Sequence, residues 1–155
     1  MSPVRAIPEG FHSITPALIC KNASEAIDYY KRVFGAKEIM RMPGPNGLIG
    51  HAEIQIGDSI VFVNDPFMPV SQTTGMAPVS LFLYVEDVDT VFNRAVAAGA
   101  KVDMPLDNQF WGDRCGKLTD PYGHQWGLAQ HVEEVAPDEM ERRAAAWMKK
   151  AAGQS

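Results

Sequence analysis

Apolar and polar positions follow an order along the chain that occurs twice. Two apolar stretches are each followed by a segment with the 3.6-residue period of an amphipathic helix. Each of these segments closes on Gly-Ala-Lys, at Gly35 and Gly99, which lie 64 positions apart. Shorter stretches with alternating apolar residues come next in both halves. The pattern predicts two similar modules of the form β-α-β-β-β.

The first module is predicted over residues 12–64. A strand over 12–20 precedes a helix that Asn22 caps, with Glu25 completing a capping box and Gly35 ending the helix in a left-handed conformation. The apolar face of this helix comprises Ala26, Ile27, Tyr30, Val33 and Phe34. Three strands are then predicted over 37–42, 49–56 and 59–64.

The second module is predicted over residues 79–131, after a linker at 65–78 that lacks periodicity. It begins with a strand over 79–85, and Asp87 caps a helix that ends at Gly99. Three strands are predicted over 101–105, 117–119 and 125–131.

A third helix is predicted beyond the second module, over residues 137–151. Pro137 lies in its first turn, acids come early and bases come late. One face carries Met140, Ala144, Trp147, Met148 and Ala151. We expect this face to pack on its own domain or on a partner subunit.

Composition and charge narrow the function classes. A chain of 155 residues is the length of one domain, so we interpret the two modules as a single domain. The net charge of −5 is spread over interspersed acids and bases, which disfavours nucleic-acid binding. No apolar run approaches the ~20 residues of a membrane span, and no signal peptide precedes the first module, so a cytoplasmic protein is expected. Cys20 and Cys115 are predicted to be reduced thiols without a catalytic role.

The doubled pattern, with Asp120-Pro121-Tyr122-Gly123-His124 before the last strand, resembles the vicinal-oxygen-chelate superfamily of glyoxalases, bleomycin-resistance proteins and extradiol dioxygenases. Further segments are similar to its PhnB-like, glyoxalase-like members, namely Thr15-Pro16, Ala26–Tyr30, Gly50–Glu53, Ile56–Asp58, Tyr84–Val88, Gln109–Arg114 and Asp120–Trp126. The resemblance covers residues 12–135. It implies an α+β fold, the glyoxalase/bleomycin-resistance/dihydroxybiphenyl-dioxygenase fold, in which tandem βαβββ modules form half-barrels around a cavity, here with an extra C-terminal helix.

The resemblance also implies positions for a divalent metal. Metal-dependent members place His, Glu or Gln on the first and last strands of each module. Carried over by position, these sites are Thr15 and Ser80 on the first strands and about Val61 and Gly127 on the last strands. None of the four is a good metal ligand. No metal ligand set is therefore predicted, which disfavours the glyoxalase and dioxygenase reactions.

The strand over 49–56 has two distinct faces. Ala52, Ile54 and Ile56 are expected to pack on the helices, so that His51, Glu53 and Gln55 face the cavity. His51 and Glu53 are candidate catalytic residues, either as an acid–base pair or, with His131, as ligands of a displaced metal site. The alternative is a solvated strand face, or hydrogen bonds that hold the cavity in shape.

The same alternation predicts the residues that line the cavity in the second module. They are Ser80, Phe82 and Tyr84 on its first strand and Gln125, Gly127, Ala129 and His131 on its last strand. An aromatic and polar lining with few charges suits a moderately apolar or aromatic ligand with hydrogen-bonding groups. For each aromatic residue taken alone, core packing is the alternative.

Residues 110–114 are predicted to form a loop in which Trp111 covers the cavity and Arg114 holds an anionic group. Alternatively, Asp113 and Arg114 pair with each other or with neighbours, and Trp111 packs at a dimer interface. His124 is expected to fix its turn by hydrogen bonding, and His12 to lie at the surface.

Three hypotheses follow. The first is a homodimeric, glyoxalase-like protein that binds a small organic molecule without a required cofactor, in a sequestration or resistance role. Its ligand-binding residues would be Thr15, Gln55, Ser80, Phe82, Tyr84, Trp111, Arg114, Gln125 and His131. The second is a metal-dependent lyase, isomerase or dioxygenase with a divalent metal held around His51 and Glu53. The third is an interaction module that uses its last helix.

Overall fold

A computed structural model describes residues 6, 9–12, 14–66, 79–151 and 153. Its contacts divide the chain into two compact units, Met1–Met76 and Ala77–Ser155. Each unit has its own sheet and its own core. Most of the predicted linker, residues 67–78, lies outside the described residues. That both modules form one domain stays a prediction.

The N-terminal unit is a four-stranded mixed sheet with one helix on it. Its elements are β1 (Ala17–Ile19), α1 (Ala23–Phe34), β2 (Lys37–Pro43), a short 3₁₀ turn (Pro45–Gly47), β3 (Ile49–Ile56) and β4 (Ser59–Asn64). The strand order is β1-β4-β3-β2, with β1 parallel to β4 and the other neighbours antiparallel.

Helix α1 has the predicted caps. The Asn22 side chain accepts a hydrogen bond from the Glu25 backbone N–H, and Gly35 ends the helix with φ 66° in the left-handed region, where glycine is least strained. Four residues of the predicted apolar face, Ala26, Ile27, Tyr30 and Val33, are fully buried, and the fifth, Phe34, is partly buried. Burial of this face provides most of the helix's stability, because short helices are marginal by themselves.

The C-terminal unit has the same topology followed by one more helix. Its elements are β5 (Ser80–Tyr84), α2 (Val88–Ala97), β6 (Lys101–Asn108), β7 (Asp113–Thr119), β8 (Gln125–His131) and α3 (Pro137–Ala151). The strand order is β5-β8-β7-β6, and β5 runs parallel to β8. The α+β fold with two β-α-β-β-β modules and an extra C-terminal helix is thereby confirmed.

Strand register shows that the repeat is regular across both sheets. Ala17 lies opposite Phe62 in the N-terminal sheet, and Phe82 lies opposite Gly127 in the C-terminal sheet. Both members of the second pair follow their counterparts by 65 positions. Positions in the two sheets can therefore be matched residue by residue.

The first strand, predicted over 12–20, spans only Ala17–Ile19. The error that bears on the candidate site concerns β7. Residues 113 and 114 were assigned to a loop, but both belong to the strand, which begins four residues before the predicted start at 117. The strand signal was weak because Asp and Gly, the residue types at 113 and 116, are uncommon in strands. Gly116 is required because a Cβ there would come within 2.7 Å of the Phe92 ring and 2.9 Å of the Met104 carbonyl oxygen.

Helix α3 has the predicted bounds, but none of its described side chains is buried. Its contacts with the rest of the unit involve Trp147, whose ring centroid lies 5.8 Å from that of Phe110, and Arg143, which donates to the Phe110 carbonyl oxygen and pairs with Glu133. None of the helices in the described residues is both long and apolar enough to cross a membrane.

Candidate functional site

Each sheet has one face that packs on its helix and one that points away from it, which we call the distal face. In β3 the predicted alternation holds. Ala52, Ile54 and Ile56 are buried on the helix side, whereas His51 and Glu53 are only partly buried on the distal face. The two predicted catalytic side chains are close, with His51 Nε2 3.4 Å from Glu53 Oε1.

The surroundings of this pair are partly aromatic. The His51 ring lies edge-on to the Phe62 ring, with centroids 4.7 Å apart. Gln55, predicted to bind ligand, instead donates through Nε2 to the Gly57 carbonyl oxygen in the adjacent turn. The structure thus brings His51, Glu53 and Phe62 together and directs the Gln55 amide to the end of the strand.

The position given as about Val61 from the family's metal pattern does not lie on the face of its counterpart Gly127. Val61 lies opposite Ile54 and is 4% exposed, which places it on the helix side of the sheet. The residue that matches Gly127 in register is Phe62. A shift of one residue along a strand moves the side chain to the opposite face, so the distinction matters.

Thr15 precedes β1 and lines a pocket at that edge of the N-terminal sheet. The pocket has a volume of about 240 Å³. Its lining residues are His12, Ile14, Thr15, Pro16, Ser59 and Ile60. His12 is exposed there, as expected from the sequence.

The distal face of the C-terminal sheet carries an aromatic surface. Phe82 and Tyr84 are 47% and 59% exposed, and their rings meet edge-to-face with centroids 5.2 Å apart. A Cβ at position 127 would come within 2.5 Å of the Phe82 ring, so Gly127 lets that ring lie directly on β8. Ser80 and Gln125 lie opposite each other at one end of this surface.

At the other end of this face, Asp113 is the centre of a hydrogen-bond cluster. Tyr84 Oη and Trp111 Nε1 both donate to Asp113 Oδ2, each at 2.9 Å. His131 Nδ1 lies 2.9 Å from Asp113 Oδ1. Asp113 is 2% exposed, whereas Tyr84 and the His131 side chain are about half exposed. Tyr84, Trp111 and His131 were predicted site residues, and Asp113, which joins them, was missed as a site residue.

The charges of this cluster follow from its hydrogen bonds. Burial acts to raise the pKa of Asp113, but hydrogen bonds from His131, Tyr84 and Trp111 together hold it below its usual value. The hydrogen bond with Asp113 raises the pKa of His131, with a further contribution from Glu134, 3.1 Å from Nε2. The same carboxylate raises the pKa of Tyr84. The cluster therefore favours an ionised Asp113, a protonated His131 and a neutral Tyr84.

Arg114 is not part of this cluster. Its backbone in β7 lies opposite that of Gln130 in β8. The Gln130 side-chain oxygen accepts a hydrogen bond from the Val88 N–H at the start of α2. The Arg114 guanidinium makes a bidentate pair with Asp89 of α2, with Nε–Oδ2 at 2.9 Å and Nη2–Oδ1 at 2.8 Å. This is the arrangement of the alternative interpretation, in which Arg114 pairs with a neighbour.

Asp120-Pro121-Tyr122-Gly123-His124 forms a turn centred on Asp120. Asp120 is 3% exposed and accepts hydrogen bonds from the backbone N–H groups of Tyr122 and His124 and from Trp126 Nε1. Gly123 adopts φ 92°, a conformation that other residues rarely reach. These hydrogen bonds fix the turn that leads the chain into β8.

Within the described residues, no three His, Cys, Asp or Glu side chains are grouped so that they could hold a metal ion. Cys20 and Cys115 are both buried thiols, and the Cys20 sulfur lies 4.0 Å from Tyr30 Oη. Burial also raises the pKa of the Cys115 thiol.

Comparisons with known proteins agree with this fold. Residues 10–128 match the sequence profile of the Glyoxalase/Bleomycin resistance protein/Dioxygenase superfamily. An uncharacterized protein of Mycobacterium tuberculosis is 40% identical over 136 residues, which cover 83% of this chain and 80% of that protein. The crystal structure of TioX from Micromonospora sp. ML1 matches with a TM-score of 0.62 and 31% identity, covering 81% of this chain and all of that chain. A PhnB protein from Bacillus cereus has the same fold, with a TM-score of 0.65, 24% identity and coverage of 77% of this chain and 99% of that one.

Proposed function

Since the chain belongs to the glyoxalase/bleomycin resistance protein/dioxygenase superfamily, we propose that it binds a small aromatic molecule on the distal face of its C-terminal sheet. The observation that carries this proposal is the half-exposed Phe82–Tyr84 pair, which lies next to the polar cluster around Asp113. Exposed aromatic rings beside a few fixed polar groups are the usual composition of a ligand site.

The aromatic surface is well suited to a flat ligand. Because Phe82 lies on Gly127, and Tyr84 is held by its hydrogen bond to Asp113, both rings are positioned before a ligand arrives. Covering apolar surface favours binding by about 25 cal/mol per Å². Little side-chain entropy is lost on binding, because the rings are already ordered.

We propose that this binding needs no metal at the positions that metal-dependent family members use. The resemblance, carried over by position, puts Thr15, Ser80 and Gly127 there, and Phe62 is the register counterpart of Gly127. The side chains of Phe and Gly offer no donor atom, and neutral hydroxyls are weak ligands for the metals concerned. A sequestration or resistance role, which requires binding alone, is consistent with this set of residues.

A second candidate function is that of a metal-dependent lyase, isomerase or dioxygenase with His51 and Glu53 as displaced ligands. The 3.4 Å approach of His51 Nε2 to Glu53 Oε1 favours it. Catalytic zinc sites normally use three protein ligands, and this pair supplies two. Elemental analysis of the purified protein distinguishes the candidates, because a stoichiometric metal that is lost in His51→Ala would support the second.

The primary proposal is tested by NMR titration of the ¹⁵N-labelled protein with 2-naphthol, with and without a chelator. We expect chemical-shift changes at β5 and β8 that the chelator does not alter. Binding to Phe82→Ala should be at least about tenfold weaker, because this variant removes part of the aromatic surface. Trp147→Ala is the control, since Trp147 is a similarly exposed aromatic residue on α3. Binding that is absent in the wild type, or lost on chelation, would contradict the proposal.

A further inference from the structure

We infer that Asp113 determines the hydrogen-bonding polarity of this face, so that Tyr84 acts only as an acceptor and selects ligands that carry an O–H or N–H donor. The inference rests on the proposed function, and it adds the chemical class of the ligand: an aromatic hydroxy or amino compound. Asp113 would be a positioning residue that acts through Tyr84.

The first step concerns the carboxylate. Asp113 is buried, and both of its oxygens are within 2.9 Å of donors, Oδ2 receiving Tyr84 and Trp111 and Oδ1 receiving His131. An ionised carboxylate accepts hydrogen bonds and donates none. The hydrogen bonds that lower the pKa of Asp113 keep it in this form. All three neighbours must therefore direct their protons toward it.

The second step concerns the tyrosine. A phenol hydroxyl has one proton and can also accept through its lone pairs. In this cluster the proton lies on the 2.9 Å bond to Asp113 Oδ2, so the lone pairs of Tyr84 Oη face outward. Tyr84 as a whole residue is 59% exposed, so a ligand that covers its ring comes within reach of this oxygen. A ligand stacked beside Tyr84 can form a hydrogen bond with Oη only by donating a proton from its own O–H or N–H group.

The third step concerns His131, which cannot replace Tyr84 as the acceptor. Its Nδ1 is directed to Asp113, and its Nε2 lies 3.1 Å from Glu134 Oε1. Two carboxylates on opposite sides of one imidazole favour the doubly protonated ring, in which both nitrogens donate. The acceptor that Asp113 creates on this face is therefore Tyr84 Oη.

The size of the expected selectivity follows from the cost of an unsatisfied acceptor. Covering a polar atom with an apolar group removes its hydrogen bonds to water, and a partly exposed site loses only some of them. We expect a donor-bearing ligand to bind about 3- to 10-fold more tightly than a similar ligand without the donor.

The test compares 2-naphthol with 2-methoxynaphthalene and naphthalene, which share the ring system but lack the hydroxyl proton. Affinities are measured by NMR titration of the 155-residue chain. In the wild type we expect 2-naphthol to bind about 3- to 10-fold more tightly than either analogue. In Tyr84→Phe, which keeps the ring and removes the oxygen, the three affinities should become equal.

Asp113→Asn removes the charge without changing the shape of the side chain. Its amide oxygen stays toward Trp111 Nε1, which can only donate, but a neutral amide is a weaker acceptor than a carboxylate. Tyr84 is then held less strongly as a donor, so the preference for 2-naphthol over 2-methoxynaphthalene should be smaller than in the wild type. Asp107→Asn is the matched control, because Asp107 is an exposed β6 residue that accepts from the Asn108 N–H. It should keep the wild-type preference.

The outcomes separate the two proposals. Equal affinities in the wild type, or a preference for 2-naphthol that persists in Tyr84→Phe, would overturn the donor inference while leaving the proposed function intact. Failure of all three probes to bind would overturn both. If Asp113→Asn does not fold, Tyr84→Phe still decides the question, since Tyr84 is largely exposed and its replacement removes a single oxygen.

Discussion

Single buried carboxylates organise several parts of this protein. Asp65 accepts from the backbone N–H groups of Ala23 and Ile49, and Asp120 holds the turn before β8. Each is at most 3% exposed, and each is paired with N–H donors, as a buried charge must be. Asp113 differs in that two of its partners, Tyr84 and His131, reach an exposed face. The same residue type therefore stabilises the fold at two positions and shapes a candidate site at the third.

At this scale we predict a pH dependence that centres on His131. Asp113 raises the pKa of His131 above its unfolded value. The pair therefore contributes stability that is fully present below the unfolded pKa of about 6.5 and is lost as the pH rises through the higher folded pKa. An NMR titration of the His131 ring protons should show the raised pKa in the wild type and a lower one in Asp113→Asn. Identical His131 titrations in both proteins would contradict the prediction.

Among the elements, the helices were easier to predict than the strands. Both α1 and α2 have apolar residues at helical spacing, polar caps and glycine at or just after the end, all of which are local signals. Strand β7 has no comparable local signal, because its first residues are polar and become favourable only through α2, β5 and β8. The candidate cluster was consequently predicted in part: three of its four members were identified, and the central one was assigned to a loop.

Helix α3 is attached to the rest of the C-terminal unit through Arg143. Arg143 ties the helix to the unit through Glu133 and the Phe110 carbonyl oxygen, whereas Arg142 pairs with Glu139 on the same helix. We expect Arg143→Ala to speed amide hydrogen exchange throughout α3, because the helix buries no described side chain and depends on these contacts.

Arg142→Ala is the matched control for that measurement. It removes an exposed pair within the helix, so exchange in α3 should remain close to that of the wild type. Equal acceleration by the two substitutions would show that Arg143 has no special role in docking the helix.

At the scale of the whole molecule, the two units have the same topology but different distal faces. Register matches Tyr84 with Ile19, so the N-terminal unit has no equivalent of the phenol at that position. Instead, the described part of its distal face carries His51, Glu53 and Phe62. The proposed ligand site therefore depends on residues present in one copy of the repeat.

The prediction at this scale concerns self-association. Trp147 and Met148 are 54% and 60% exposed on α3, which leaves an apolar surface that a second subunit would cover. A chain that ends after Val135 should keep the fold of both sheets, as judged by its NMR spectrum. In sedimentation velocity it should form a weaker dimer, which dissociates at a higher protein concentration than the dimer of the 155-residue chain.

Lys149→Ala is the control, since it lies on the same helix and leaves the apolar surface unchanged. A wild-type protein that is monomeric at every concentration would contradict the predicted homodimer.

The amino-acid sequence by itself determined the order of the elements, the repeat, the caps of α1 and the distribution of side chains between the faces of β3, β5 and β8. These features depend on periodicity and on neighbours within about four residues, which a sequence displays directly. The tertiary structure alone decided the start of β7, the pairing of Arg114 with Asp89 and the cluster around Asp113. The physical reason is that Asp113 is stable in a strand only because Tyr84 and His131, 29 and 18 positions away, are brought to it by the sheet.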